Sequence, residues 1–410
     1  MTSTNDAEIS DSAVPTGVAV TSLDPAYQQA PDAILDVLRE RDPAHHDQVL
    51  QRWLLTRHDD VDALLRDRSF SADPRKGTPG TFMTAFVSPN GREPSILFLD
   101  PPEHTRLRGL VSKAFTPRAI EQMAPRIREI VDELLDDVAG GDGFDLIAAF
   151  AGPLPTIVIA EMLGVDPADR LDFKRWSDDG VMSFDPLLSA ELRERVAASS
   201  AELEAYFRGA IAERRASPRA DLISSLIAVE DEGGRLSDDE LVTMCGLLLA
   251  AGNVTTTDLI GNGTLALLRH PDELRKLRDD PSLIKNAVEE MLRYDPPVTE
   301  TGRIPLTGTE FRGCAIGGGE SLVPVMAAAN HDPEVYPEPH RFDITRADTH
   351  HHSFGGGVHF CLGAPLARLE AQIAIGALAA RFPRLRLADE ALEYRRIPGF
   401  RGVVRLNVLT

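Results

Sequence analysis

Cysteine is scarce in this chain. Cys245, Cys314 and Cys361 are the only three in 410 residues, and their spacing shows no pairing pattern. That excludes a disulfide framework and points to a reducing compartment. Positive charge is also short: 43 Lys and Arg stand against 64 Asp and Glu, a net charge of −21. Such a chain is poorly suited to nucleic acid or an anionic membrane. The first basic residue is Arg39, so no charged segment precedes an apolar stretch, and no signal or transit peptide is expected. Long apolar runs are missing. The longest, near Cys245–Ala251, is too short to span a bilayer. Internal repeats and linker-like segments are missing as well. The expectation is a soluble, cytoplasmic protein, and a hydrophobic fraction of 43% is ample for a core.

What is present concentrates in Phe354–Gly363, FGGGVHFCLG. Cys361 follows three consecutive glycines and precedes a helix-forming run, Ala364 to Arg381. Glycine lets a backbone turn through left-handed conformations and come close to a flat ligand. The helix after it points free N–H groups and its positive dipole end at the sulfur, which favours thiolate. A lone thiolate on a glycine loop suits the fifth ligand of haem iron. Two other readings stand beside that one. A single cysteine before a helix also serves as a small buried hydrophobe. His350, His351, His352 and His359 raise zinc, although no second cysteine supplies the paired spacing of a structural site.

The rest of the chain reads as mainly helical with a smaller β region. Residues 1–20 are polar and acidic and read as a disordered tail, leaving residues 21–410 as one domain. Helical patterns dominate from Glu103 to Tyr294, broken at Gly140–Gly143, Pro186, Pro218 and Gly233–Gly234. Strands are expected near Trp53–Thr56, Ile304–Leu306, Glu310–Arg312, Ser321–Pro324 and Val403–Val408. Ser71–Pro94, rich in Gly, Pro, Ser and Thr, reads as a long functional loop. Asp238–His270 reads as one long helix with a weak centre, Ala251-Gly252-Asn253-Val254-Thr255-Thr256-Thr257, where Gly, Asn and β-branched residues lower helix propensity. That centre either bends the helix or packs quietly within it.

The segment from Phe354 to Gly363 resembles the haem-binding loop of the cytochrome P-450 superfamily, F-G-x-G-x-H-x-C-x-G. Glu290 and Arg293, in EEMLR, resemble the family's E-x-x-R pair, and Arg341, in PEPHRF, resembles its third member. The start of DPPEHTRLR and the AGNVTTT centre of the long helix match in family order. The resemblance implies one large P-450 domain, with the long I helix lying over haem b. It implies Cys361 as axial metal ligand, Phe354 and Gly363 beside it, and His104, Arg108, Arg303 and His359 on the haem propionates. It implies a buried network of Glu290, Arg293 and Arg341. Thr255, Gly252, Ala251 and Asn253 then form the oxygen-activating segment, Thr255 bonding dioxygen and routing protons, Gly252 keeping the helix thin, Asn253 holding water. The family's usual acid before the threonine is Val254 here, so Thr255 and ordered water are left to carry the protons, with Asp258 one turn on.

By the same resemblance the substrate pocket takes Met83, Phe86, Val87 and Ile96 from the loop, and Leu248 and Ala251 from the long helix. Val298, Thr299 and Phe400 complete it. Arg75, Arg92 and Arg401 are candidate anchors for a carboxylate. The implied activity is a monooxygenase acting with O2 on a small apolar organic substrate. Electrons come from NAD(P)H through a separate reductase and ferredoxin, since no flavin or iron–sulfur module follows the ligand helix. Arg106, Lys113, Arg118 and Arg368 are the candidate docking cations, and a monomer is expected. A peroxide-driven peroxygenase and a non-catalytic haem-thiolate sensor are the rival readings. The Arg-Pro pair of the former is absent from the threonine region.

Overall fold

The computed structural model describes residues 14–87, 94–185, 187–231, 234–388 and 391–410. Its longest element is a single helix, Asp238–Arg269. Ser237 starts it with a capping box: its hydroxyl accepts from the Glu240 N–H, and the Glu240 carboxylate accepts from the Ser237 N–H. Asp238, Asp239 and Glu240 suit the positive end of the dipole, and Arg269 the negative end. The weak centre stays helical because neighbours enclose it. Helices Pro153–Leu163, Arg170–Met182, Ala190–Ala216 and Ala364–Arg381 all pack on this one. It is long and apolar enough to cross a membrane, yet 61% of its apolar window is buried inside the fold. It is the core helix.

The β content is small. Strands β1 (Ala44–Asp47) and β2 (Arg52–Leu55) form an antiparallel hairpin, and β3 (Leu322–Pro324) joins β2 in parallel, pairing Val323 with Leu54. The remaining strands form a second three-stranded sheet and three two-stranded ribbons. Thus the mainly α architecture with a smaller β region is the observed one.

Two details of the sequence reading change. Residues 14–20 are part of the fold rather than of a disordered tail. Gly17–Val20 forms a 3-10 turn, and Val20 is buried against the cluster of Tyr27, Leu35 and Leu38. Residues 1–13, the Pro186 break and Arg92 lie outside the described residues.

The second change concerns the charged network. Glu290 and Arg293 are fully buried and doubly paired, Nε to Oε2 at 2.8 Å and Nη2 to Oε1 at 2.9 Å. Arg293 Nη1 donates to the carbonyls of Asn330 (3.0 Å) and Pro339 (2.8 Å). The third member is Arg346, not Arg341. Arg346 Nε reaches both Glu290 oxygens, at 3.3 and 3.2 Å. The Arg341 side chain is 54% exposed and pairs with Glu338 and Asp343; only its carbonyl oxygen joins the network. Breaking a buried pair costs about 3–5 kcal/mol, whereas an exposed one is worth about 0–1 kcal/mol. Urea unfolding of the haem-loaded protein should therefore show Arg346→Ala strongly destabilised and Arg341→Ala within about 1 kcal/mol of wild type. Equal losses would restore Arg341 to the network.

Candidate active site

The loop before Cys361 is shaped by three glycines with separate duties. Gly355 (φ +69°) and Gly357 (φ +60°) occupy the left-handed region. A Cβ on Gly357 would also lie 2.4 Å from the Leu65 carbonyl oxygen, and one on Gly356 would press on the Leu65 side chain. The loop thus lies tightly on the helix His58–Arg66, a packing reason for glycine beyond the approach to a flat ligand. The Cys361 N–H donates to the Phe354 carbonyl at 2.9 Å. Gly363 ends the loop, and Ala364–Arg381 starts directly after it. Burial pushes the Cys361 thiol up. The N–H groups of Gly363 and Ala364 and the guanidinium groups of Arg108 and Arg368 pull the other way without prevailing. The expected thiolate bias is present but outweighed by desolvation. Arg368 stacks over the Phe354 ring at 4.5 Å.

Four cationic or ionisable side chains meet beside this loop. His104 and His359 face each other with ring centroids 4.2 Å apart. Burial, then the charges of Arg303 and His104, push His359 down to about 3. Burial lowers Arg303 to about 10, and it lowers Arg108 and His104 as well. Among the described residues the Arg303 guanidinium donates only to the adjacent Gly302 carbonyl, and that of Arg108 to the Phe360 carbonyl. His104 Nδ1 is buried and has no hydrogen-bond partner among the described residues. The nearest acid, Asp100, is occupied by Ala72, Ser71 and Lys76. A buried cluster of donors without anions fits a ligand that carries carboxylates. The sulfur and this cluster together suit a haem and its two propionates. His351 and His352 turn elsewhere, to Glu289 and to His58.

The sequence model described as cytochrome P-450 matches residues 177–390. The chain is 43% identical over 366 residues to the 6-deoxyerythronolide B hydroxylase of Saccharopolyspora erythraea, covering 87% of this chain and 89% of that protein. It is 44% identical over 361 residues to the vitamin D(3) 25-hydroxylase of Pseudonocardia autotrophica, covering 87% of each. The crystal structure of the BioI P-450, in complex with an acyl carrier protein ligated to hexadec-9Z-enoic acid, superposes with a TM-score of 0.87 at 38% identity. That match covers 95% of this chain and 99% of the other.

The chain belongs to the cytochrome P-450 family. Members bind haem b through a cysteine thiolate and use O2, a substrate and redox partner proteins, so this P-450 is a monooxygenase.

In this P-450 the threonine region divides between two faces. Ala251 is exposed and Gly252 and Thr255 are half-buried, in a helix whose other central residues are buried. The Thr255 hydroxyl donates to the Ala251 carbonyl at 2.7 Å, one turn back. A Cβ on Gly252 would meet only Ile159 at 3.8 Å, so packing against protein does not require glycine there. Asn253 does not face a channel. It is buried, its Nδ2 donating to the Ser177 hydroxyl and its Oδ1 accepting from Thr156, each at 3.0 Å. It ties three helices together. Val254 packs with Val181 and Ile397. Asp258 is wholly buried and paired with Arg395 at 3.1 Å; burial raises its carboxyl to about 6. It occupies the space that a Cβ on Gly402 would fill.

The substrate candidates separate as well. Phe86 and Phe400 belong to one line of aromatic rings: Phe82, Phe86, Phe98, Phe184, Phe400, with successive centroids 5.7, 5.9, 6.3 and 5.6 Å apart. Val298 pairs with Phe400 through a β-bridge. Phe98 and Phe184 were not expected from the sequence, because isolated rings in irregular segments carry no periodic signal. Val87 is exposed, and Leu248 lies against the main core. Met83 is core rather than lining: it is buried, and its sulfur lies where a Cβ on Gly302 would stand. Ile96 belongs to the main core cluster, and Thr299 is buried. Arg401 pairs with Asp295 and Arg75 with Asp73, so neither offers a bare carboxylate anchor. Of the docking cations, Arg106 pairs with Glu240 and Arg368 with Glu289, while Lys113 and Arg118 are exposed.

Hydrogen bonds to charged groups are worth about 1.5–3 kcal/mol. Haem transfer to apomyoglobin should therefore be at least ~10-fold faster from Arg303→Leu than from wild type, and unchanged in Arg118→Leu. Equal rates would remove Arg303 from the propionate cluster.

Proposed function

We propose that this P-450 inserts one oxygen atom from O2 into an apolar small organic molecule, with Cys361 as the iron ligand. The electron donor in this reading is NAD(P)H, acting through a separate reductase and ferredoxin. The protein works in it as a soluble cytoplasmic monomer. The observation that carries the substrate class is the aromatic line from Phe82 to Phe400. Its Phe184–Phe400 end packs on Val181, Val254 and Ile397, Val254 lying next to Thr255 in the long helix. Rings and aliphatic carbons take up apolar surface and give few polar anchors. The hydroxylases named for 6-deoxyerythronolide B and for vitamin D(3) support bulky, largely apolar substrates.

Haem supplies the dioxygen chemistry when bound. His104, Arg108, Arg303 and His359 hold and orient it through its carboxylates. Thr255 provides the hydroxyl on the open side of the helix, and ordered water completes the proton route. Asp258 is no substitute acid, because it is sealed from the open face and committed to Arg395.

Cys361→Ser should lose the red-shifted absorbance of the reduced, carbon-monoxide-treated protein. Compounds of the right class should shift the Soret band from low to high spin. Product formed per NADH should fall in Thr255→Ala, with peroxide rising in compensation, and Thr255→Ser should retain most of the coupling. If Thr255→Ala couples as well as wild type, the threonine is off the proton route. Val254→Glu should lower the melting temperature without improving coupling, since its carboxylate would enter an apolar cluster.

A further inference from the structure

We propose that Asp32, His331 and His340 form a tetrahedral zinc site outside the haem pocket, with water as the fourth ligand. Asp32 lies in the first turn of the helix Pro31–Arg41, and His331 and His340 lie in the coil that follows Met326–Ala329. The Nδ1 atoms of the two histidines are 3.1 Å apart. Asp32 Oδ1 is 3.3 Å from the first, and its Oδ2 is 3.6 Å from the second. A zinc ion about 2.0–2.1 Å from nitrogen and about 2.0–2.2 Å from oxygen has tetrahedral edges of about 3.3 Å. The two nitrogens and Oδ1 give two edges near that length, and the carboxylate must turn to set a single oxygen against both rings, since the oxygen near His340 is Oδ2.

Tautomers strengthen the case. His331 Nε2 lies 2.9 Å from the Tyr294 carbonyl oxygen. His340 Nε2 lies 2.7 Å from the Asp36 carboxylate. Both oxygens can only accept, so both Nε2 atoms carry hydrogen. When zinc displaces the proton that the carboxylates of Asp32 and Asp36 favour on His340, each imidazole keeps one N–H, at Nε2, and both Nδ1 lone pairs are free for the metal. Two imidazole nitrogens and a carboxylate thus face one another, with ligand atoms all within 4.8 Å, a grouping that suits a cation. The outer partners are the kinds that orient metal-bound histidine, a backbone carbonyl and a carboxylate. Asp36 is itself held by Arg39. Access is open: His331 is buried, but the side chains of Asp32 and His340 are each 43% exposed. Bound zinc would join the helix Pro31–Arg41 to the coil whose Asn330 and Pro339 carbonyls hold Arg293.

The test uses the haem-loaded protein, stripped with chelator, dialysed at neutral pH and titrated with zinc chloride by calorimetry. One zinc per chain should survive gel filtration, and the melting temperature should rise. His340→Ala should weaken binding by at least ~100-fold, and the outer-partner variant Asp36→Asn by about 10–100-fold. Haem content should stay unchanged in both. Asp32→Asn gives the same reading should His340→Ala fold poorly. No retained zinc in wild type would overturn the site and leave a doubly protonated His340 bridging two carboxylates. Equal binding by wild type, His340→Ala and Asp32→Asn would overturn it too, by placing the zinc elsewhere.

Discussion

Positive charge without an answering anion is the condition around which this molecule is arranged. His104, Arg108, Arg303 and His359 crowd together beside Cys361, and burial works against the charge on every one. The one carboxylate that acts on them among the described residues, Asp100, is engaged by other groups. A fold that concentrates such repulsion is completed by what it binds. Binding energy from a dianionic ligand is then folding energy as well. Arg108, one of these four, also acts on the sulfur.

The Glu290 network solves the opposite problem. Its charges are matched internally: two guanidinium groups share one carboxylate, and the Arg293 and Arg346 hydrogens left over end on main-chain carbonyls. Such an assembly needs no ligand, and it fixes the coil that leads to the cysteine loop. The molecule thus places a self-sufficient ionic anchor next to one that waits for a partner.

The cysteine loop and the E-x-x-R pair were legible in the sequence because each is local, with chemistry and spacing inside ten residues. Arg346 was missed because Arg341 precedes it in the same Pro-rich stretch, and only backbone geometry decides which side chain turns inward. Asn253 was misread for a similar reason. A polar residue beside Thr255 looks like part of the channel until the packing of Thr156 and Ser177 reveals its face. The aromatic line draws on four separate segments, and the triad of Asp32, His331 and His340 spans most of the chain. Neither leaves a mark on any short window of sequence.

Gly402 has a consequence for how this enzyme can diversify. Its missing side chain admits the Asp258 carboxylate, and Arg395 closes over the same group, so the C-terminal turn is locked to the long helix two residues from Phe400. That turn inherits the rigidity of the core. The other end of the aromatic line rests on short 3-10 turns, Phe82–Phe86 and Ile96–Phe98. Under the proposed substrate reading, a directed-evolution library is better spent on those turns than at Phe400.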